Sequence, residues 1–388
     1  ASVAFIANAE LGSYQVSAEL TGITPLNFDL RNLAWYIRPD GDDLNDCATP
    51  STPCATINGV LGKIGEGDTV NVASGVYVYT SGSIYQNYVA LVEKDVILLG
   101  GWDTDFNHRD GYSIIDGENA HAGMYTGGAN VTIDRFIFEK GKSTGLGGGL
   151  YNDGTLTLSN SIIRDNVANL WGGGVMNGEA LTLDHVIIDN NRSGEGGGIY
   201  NAGNALTIKY SAIFSNVSDY GGGIYSRTGS VKIYNSTING NFATQNGGGI
   251  DNDGGTTALY NVTVSNNRAD YGGGIYNYNS NVNSVLIKNT ILALNTARLS
   301  GQNCGEEMAF GSVKSSGNSL IDKTSGCSYI SGSGDKVNVN PLLGTFLPSR
   351  GYHPILVGSP SINAGASCYG TTDQRGVTRP FGSHCDIG

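Results

Sequence analysis

Six times between Gly147 and Gly274 the chain writes three consecutive glycines, an aliphatic residue and then a short polar or aromatic pair: LGGGLYN, WGGGVMN, EGGGIYN, YGGGIYS, NGGGIDN and YGGGIYN. The triplets begin at Gly147, Gly172, Gly196, Gly221, Gly247 and Gly272, so successive spacings are 25, 24, 25, 26 and 25 residues. Glycine runs suggest a phosphate-cradling loop, but no Lys-Ser or Lys-Thr pair closes these and no helical pattern follows them. A fixed period of this length is the mark of a solenoid.

Each unit holds three short apolar or alternating runs separated by Gly, Asn and Asp, such as LTL, SIIRDN and GIYN. They are too short for helices and rich in β-branched and aromatic residues. Three short strands per turn predict an all-β, right-handed parallel β-helix. Residues one period apart then become neighbours, about 4.8 Å apart, in ladders along the axis. Leu150, Val175, Ile199, Ile224, Ile250 and Ile275 form an inward aliphatic ladder, with Tyr151, Met176, Tyr200, Tyr225, Asp251 and Tyr276 expected on the outward face beside it.

Asn166, Asn191, Asn216, Asn241, Asn267 and Asn295 make a further ladder, and Asn152, Asn177, Asn201, Asn252 and Asn277 another, interrupted by Ser226. An amide placed at a bend can bond the coils above and below it while satisfying turn backbone. That reading is favoured over a sugar-binding groove because the recurrence is so regular. The middle glycines Gly148, Gly173, Gly197, Gly222, Gly248 and Gly273 form the corner itself, and Gly222 is expected to need a positive φ. Of the N-x-S/T sequons at Asn130, Asn191, Asn216, Asn235 and Asn261, the ladder positions are expected inward and Asn235 and Asn261 to be the better acceptors. Between coils, Arg164 lies over Asp189 and Asp184 over Lys209.

Composition narrows the setting. With 59 glycines in 388 residues the chain is unlike an ordinary globular enzyme, and a net charge of -12 argues against nucleic acid or an anionic membrane surface as partner. No apolar run is long enough for a transmembrane helix, and Ala1 opens no signal peptide, so the numbering reads as that of a mature or trimmed product. Six cysteines fall into three local pairs, Cys47 with Cys54, Cys304 with Cys327 and Cys368 with Cys385. Such pairs favour disulfides and an oxidising, extracellular location over a zinc site.

The stretches outside the regular coils carry a resemblance. Tyr36–Val78 and Leu98–Gly117 resemble the N-terminal part of secreted bacterial pectin-lyase-like β-helix proteins, with the segment ATINGVLGKI suggesting a capping helix. The GGGIYN units are similar to the repeats of polymorphic outer membrane proteins, and the tail Gly358–Gly388 resembles the end of choice-of-anchor Q surface proteins. Residues 1–33 are similar to the closing strands of a bacterial immunoglobulin-like domain. The chain therefore divides into a strand pair at 1–33, a cap and first coils at 34–120, regular coils at 121–300 and C-terminal coils with a cap at 301–388. Unpaired strand edges template pairing, so the terminal strands are expected to drive head-to-tail self-association.

The resemblance implies an extracellular structural or surface protein, and the terminal strands add a filament subunit to the expectation; the reading is a non-enzymatic filament subunit or an adhesin with glycan or cell-surface contacts, and the alternative is a polysaccharide lyase or glycoside hydrolase of the same fold. Such enzymes need clustered carboxylates. In the regular coils the carboxylates stand singly, at Asp165, Asp184, Asp189 and Asp251, so no catalytic residue and no resident cofactor is assigned. Two loops are denser: Asp40, Asp42, Asp43 and Asp46 are a candidate calcium set without EF-hand spacing, and Asp103, Asp105, His108, Arg109 and Asp110 have the residue types for acid-base work.

Overall fold

A computed structural model describes residues 12–20, 23–32, 34–80, 87–278, 284–305 and 312–388. Apart from one short helix it is built of strands, and all strand pairs between coils are parallel. One face of the solenoid is an eleven-stranded sheet running from Gly75–Tyr77 through Ile162–Arg164, Ile187–Asp189 and Ala212–Phe214 to Lys336–Val337. A second, larger set of strands carries the aliphatic ladder, and a short four-stranded sheet (Val217–Tyr220, Phe242–Asn246, Arg268–Tyr271 and Thr296–Ser300) closes the coil before the glycines.

The register pairs Leu150 with Val175, Val175 with Ile199, Ile199 with Ile224, Ile224 with Ile250 and Ile250 with Ile275. All six are fully buried. They belong to one core that runs from Trp35 to Ile321, so the cap, the regular coils and the first C-terminal coils form one continuous solenoid. At its N-terminal end helix α1 (Ile57–Leu61) turns Ile57 and Val60 into that core, and Thr56 caps it by accepting from Gly59 N at 2.9 Å. Strands β1 (Gly12–Leu20) and β2 (Ile23–Asn32) form an antiparallel hairpin of their own.

Every coil must reverse direction at corners, and each corner carries a left-handed residue. At the glycine corner it is the first glycine: Gly147, Gly172, Gly196, Gly221, Gly247 and Gly272 have φ between 55° and 67°. The expectation that Gly222 takes this role is corrected. Its φ is not positive, and it is a glycine because a Cβ there would lie 2.5 Å from Gly248 O of the next coil. The two other corners use Asn160, His185, Tyr210, Asn235 and Asn261 in one column, and Asp165, Asn190, Ser215, Gly240 and Asn266 in the other. Asn and Asp tolerate this conformation best, which accounts for the asparagine content of the turns.

Immediately after the second of these columns stands the asparagine ladder. Asn216 Oδ1 accepts from Asn191 N and Asn191 Nδ2, both at 3.0 Å, and Asn216 Nδ2 donates to Asn241 Oδ1 at 3.0 Å and to Ile188 O at 3.0 Å. The pattern repeats from Asn166 to Asn295, every member buried. The second ladder joins Asn152 to Asn177 and Asn177 to Asn201, each at 2.7 Å, then breaks at Ser226, whose buried hydroxyl finds no partner.

The strands end at Val337, and the remaining residues fold back along the flank of the coils. Tyr369 stacks on Tyr234 and Tyr260 at 4.5 and 5.0 Å, Asn235 Nδ2 donates to Tyr369 O at 2.9 Å, and Gln374 Oε1 accepts from the Thr237 hydroxyl at 2.9 Å. This return segment buries Asn235 and Asn261, the two sequons expected to be the better acceptors. The exposed sequon is Asn130. Disulfides join Cys47 to Cys54, Cys304 to Cys327 and Cys368 to Cys385, the last within the return segment.

Candidate functional site

The acidic loop at the N-terminal end spends its carboxylates separately. Asp42 Oδ1 accepts from Leu44 N, Asp43 accepts from Ala55 N, Thr56 N and the Thr56 hydroxyl, Asp46 accepts from Ala48 N and Thr52, and Asp40 pairs with Arg38. The four are therefore turn and helix-start residues that do not converge, and among the described residues no three metal-ligating side chains come together.

The second loop is likewise self-contained. Asp103 accepts from Asn107 N and from His108 N and Nδ1, which hold its carboxyl below the usual range, the Asn107 bond most of all. Arg109 turns away to Gly100 O at 2.7 Å and to the carboxylate of Asp134. Asp105 and Asp110 are exposed. In the regular coils Arg164 stacks in register with Asp189 but gives its guanidinium to Glu139, 2.6 Å away on the preceding coil. Asp189 is left with burial and Asp165 beside it, which push its carboxyl up to about 6. Asp184, in register with Lys209, pairs instead with His185 at 2.6 Å.

The concave flank of the glycine corner is different. Residues just after the corner point out of the coil, as the alternation requires, yet Met176, Tyr200, Asp251 and Tyr276 are at most 6% exposed. Their burial follows from the bend. A Cβ on the first glycine would meet the residue four places on, at 2.7 Å from Tyr225 Cα or Asp251 Cβ, so the bare glycines make room for side chains lying in the hollow. A second column, just before the glycines, forms the opposite wall: Trp171, Glu195, Tyr220, Asn246 and Tyr271 stand in parallel register.

Aromatic rings fill the hollow where they can. Tyr200 stacks on Tyr225 with centroids 5.2 Å apart and planes at 13°. In the coil where the first column holds Met176, Trp171 reaches across from the other wall and stacks on Tyr200 at 5.2 Å and 12°. Arg227 lies over Trp171 and donates to the Tyr200 hydroxyl at 3.2 Å. One coil further on than Tyr225 neither wall supplies a ring, because the residues are Asn246 and Asp251. There a cavity of 490 Å³ opens.

Tyr220 and Tyr225 frame it on one side, Tyr271 and Tyr276 on the other, and Tyr278 at its rim; Asp251 and Asp253 supply its charge. Burial, with Asp253 and Glu195 adding to it, pushes the Asp251 carboxyl well above the usual carboxylate range. Burial likewise raises the Tyr225 hydroxyl, reinforced by both aspartates. In the sequence Asp251 stands only as a member of the tyrosine column. The signal was present: NGGGID is the one corner in which both flanking aromatics are missing, between two copies of YGGGIY.

Comparison with known proteins agrees with this architecture. A family model of the Chlamydia polymorphic membrane protein repeat matches residues 185–202 and 261–278, stretches that each contain a ladder asparagine, a glycine corner and its tyrosine. A search of the curated proteins by sequence finds no match. Among solved structures, pectate lyase Pel9A superposes with a TM-score of 0.57 at 13% identity, covering 92% of this chain and 95% of that one. At that identity the likeness speaks for the fold alone. The chain is a right-handed parallel β-helix of the kind seen in pectate lyase, with stretches similar to polymorphic membrane protein repeats on two of its coils.

Proposed function

We propose that this protein is a non-enzymatic structural protein of the cell surface or extracellular space, a β-helical shaft that associates end to end or acts as an adhesin. The observation that carries the reading is the use of its polar groups: buried asparagines spend both amide functions on the neighbouring coils, and in the two dense loops Asp42, Asp43, Asp46 and Asp103 accept from loop backbone while Asp105 and Asp110 stand apart and exposed. Chemistry on a polysaccharide would need such groups held free and convergent. The three disulfides and the repeat match to a membrane-protein family support a surface location.

Negative-stain imaging at rising protein concentration tests the assembly. Fibres or end-to-end strings that disappear on deleting residues 1–32 are expected; monodisperse particles at every concentration would remove the filament reading. A screen of acidic and neutral polysaccharides tests the enzymatic one, and unsaturated or reducing-end products abolished by Asp105→Ala or Asp251→Asn would overturn the proposal.

A further inference from the structure

The cavity at the Asn246–Asp251 coil is a gap of one ring between the stack of Trp171, Tyr200 and Tyr225 on one side and Tyr276 on the other. Neighbouring rings on this flank lie 5.2 Å apart. Omitting one leaves Tyr225 and Tyr276 two coils apart, about 10 Å at the usual strand spacing, which admits one flat or compact group in contact with a ring on each side. Tyr271 is 40% exposed and Tyr278 55%, so the opening reaches solvent while its floor, at Asp251, does not.

The charge of the slot selects what can enter. Among the described residues no lysine or arginine lines it; the lining beyond the tyrosines is Gln245, Asn246 and the two aspartates. Arg227, on the same flank, is engaged by Trp171 and Tyr200. A buried carboxylate with no cation beside it is costly, and tyrosine faces present negative potential to whatever lies over them. Both features favour the same occupant. The burial that suppresses ionisation of Asp251 would be offset by a bound positive charge.

We propose that the slot between Tyr225 and Tyr276 is a binding site for an organic cation, an ammonium carried on a sugar ring or in a methylated head group, held between tyrosine faces over Asp251 and Asp253. The site goes beyond the surface-protein reading and does not depend on it, since a cation slot could serve a shaft, an adhesin or an enzyme.

Titration calorimetry of the whole chain with choline, glucosamine and N-acetylglucosamine tests this. Saturable binding of choline or glucosamine is expected, and which of the two binds more tightly tells a methylated head group from an amino sugar. N-acetylglucosamine keeps the ring and loses the charge, so it should bind at least about tenfold more weakly than glucosamine. Asp251→Asn, which keeps shape and removes charge, should weaken binding by a similar factor. Asp251→Tyr installs the residue found at positions 200, 225 and 276, fills the gap and should abolish binding with an unchanged melting midpoint. Absence of binding by both cations at tens of millimolar overturns the proposal, as does equal binding of the acetylated sugar or binding that survives Asp251→Tyr.

Discussion

The asparagine corner and the glycine corner lie on the same coils and were built by the same repeat, yet they differ in what an interruption does. From Asn166 to Asn295 the asparagine corner does not vary in residue: each amide is buried and each oxygen accepts from the coil before, and from Asn166 to Asn267 each nitrogen donates to the coil after, the ladder ending where Asn295 donates to Asn303. The glycine corner keeps its backbone equally constant, but the side chains in its hollow change from Tyr to Met to Asp, and the opposite wall from Trp to Glu to Asn. Constancy marks the groups that hold coils together, and variation marks the surface that the coils present.

The sharpest way to break this contrast is to attack the backbone of the glycine corner, which should be as intolerant as the asparagine ladder. Gly222→Val places a branched side chain against Gly248 O and Phe242 C, backbone atoms 2.5 and 2.7 Å from the added Cβ. Neither coil can move without its neighbours, so a loss of about 4 kcal/mol or more is expected, seen as loss of soluble folded protein or a collapsed thermal midpoint. A Gly222→Val protein that melts like the parent would show that the coils are not stacked this closely.

Asn216→Ala comes next. It orphans Asn191 N, leaves Asn191 Nδ2 with Ile163 O as its remaining acceptor, and removes the side-chain donor to Ile188 O and Asn241 Oδ1, the latter keeping only Asn216 N, all within the buried ladder. About 3 kcal/mol of destabilisation is expected by denaturant titration. Less than about 1 kcal/mol would mean that water replaces the amide, and that the corner is less sealed than its partner distances imply.

How much of this could be read beforehand follows the same division. The coil period, the aliphatic ladder and both asparagine ladders were legible because each repeats one residue type at one position. The other two corners were not, because the left-handed position is filled by Asn160, His185, Tyr210 and Asn235 in turn, a shared conformation without a shared side chain. The return of the C-terminal segment was hidden for another reason: Tyr369 meets Tyr234 and Tyr260 across more than a hundred residues, and no periodicity links them. Reading residues after the glycines as outward was right for the coil and wrong for exposure, since strand alternation says nothing of the concavity into which Tyr200 falls. Pairing Arg164 with Asp189 failed because register places two residues side by side without deciding which neighbour a long side chain chooses; Glu139 wins.

That choice makes Asp189 a smaller probe of the ordinary coil surface. Its carboxyl is raised to about 6 by burial and Asp165, with Arg164 only partly opposing them. A carboxyl raised in the folded state binds its proton more tightly there than in the unfolded chain. Its contribution is therefore favourable below the unfolded value near 4 and is lost as pH rises through about 6. Asp189→Asn should raise stability at pH 7.5 by about 1 kcal/mol, discounted for partial exposure, and leave it nearly unchanged at pH 4. Melting midpoints of parent and variant at the two pH values check this, and equal shifts at both would place the effect in packing instead of charge.

The smallest expected effect is at the corner that tolerates least. Asn246 is half-buried on the wall before the glycines, in register with Tyr220 below and Tyr271 above. Asn246→Tyr repeats the residue of both neighbouring coils and leaves every backbone bond of the corner in place, so its melting midpoint should move by less than about 0.5 kcal/mol equivalent. The new ring should lean into the cavity as Trp171 does beside Met176, and three tyrosines in adjacent coils should then stack at the spacing of Tyr200 and Tyr225. Near-ultraviolet circular dichroism would report the added stacking. A strongly destabilised Asn246→Tyr would mean that the hollow is filled by parts of the chain itself, whereas a silent one separates the two layers of the corner: a glycine backbone that cannot change, and walls that can.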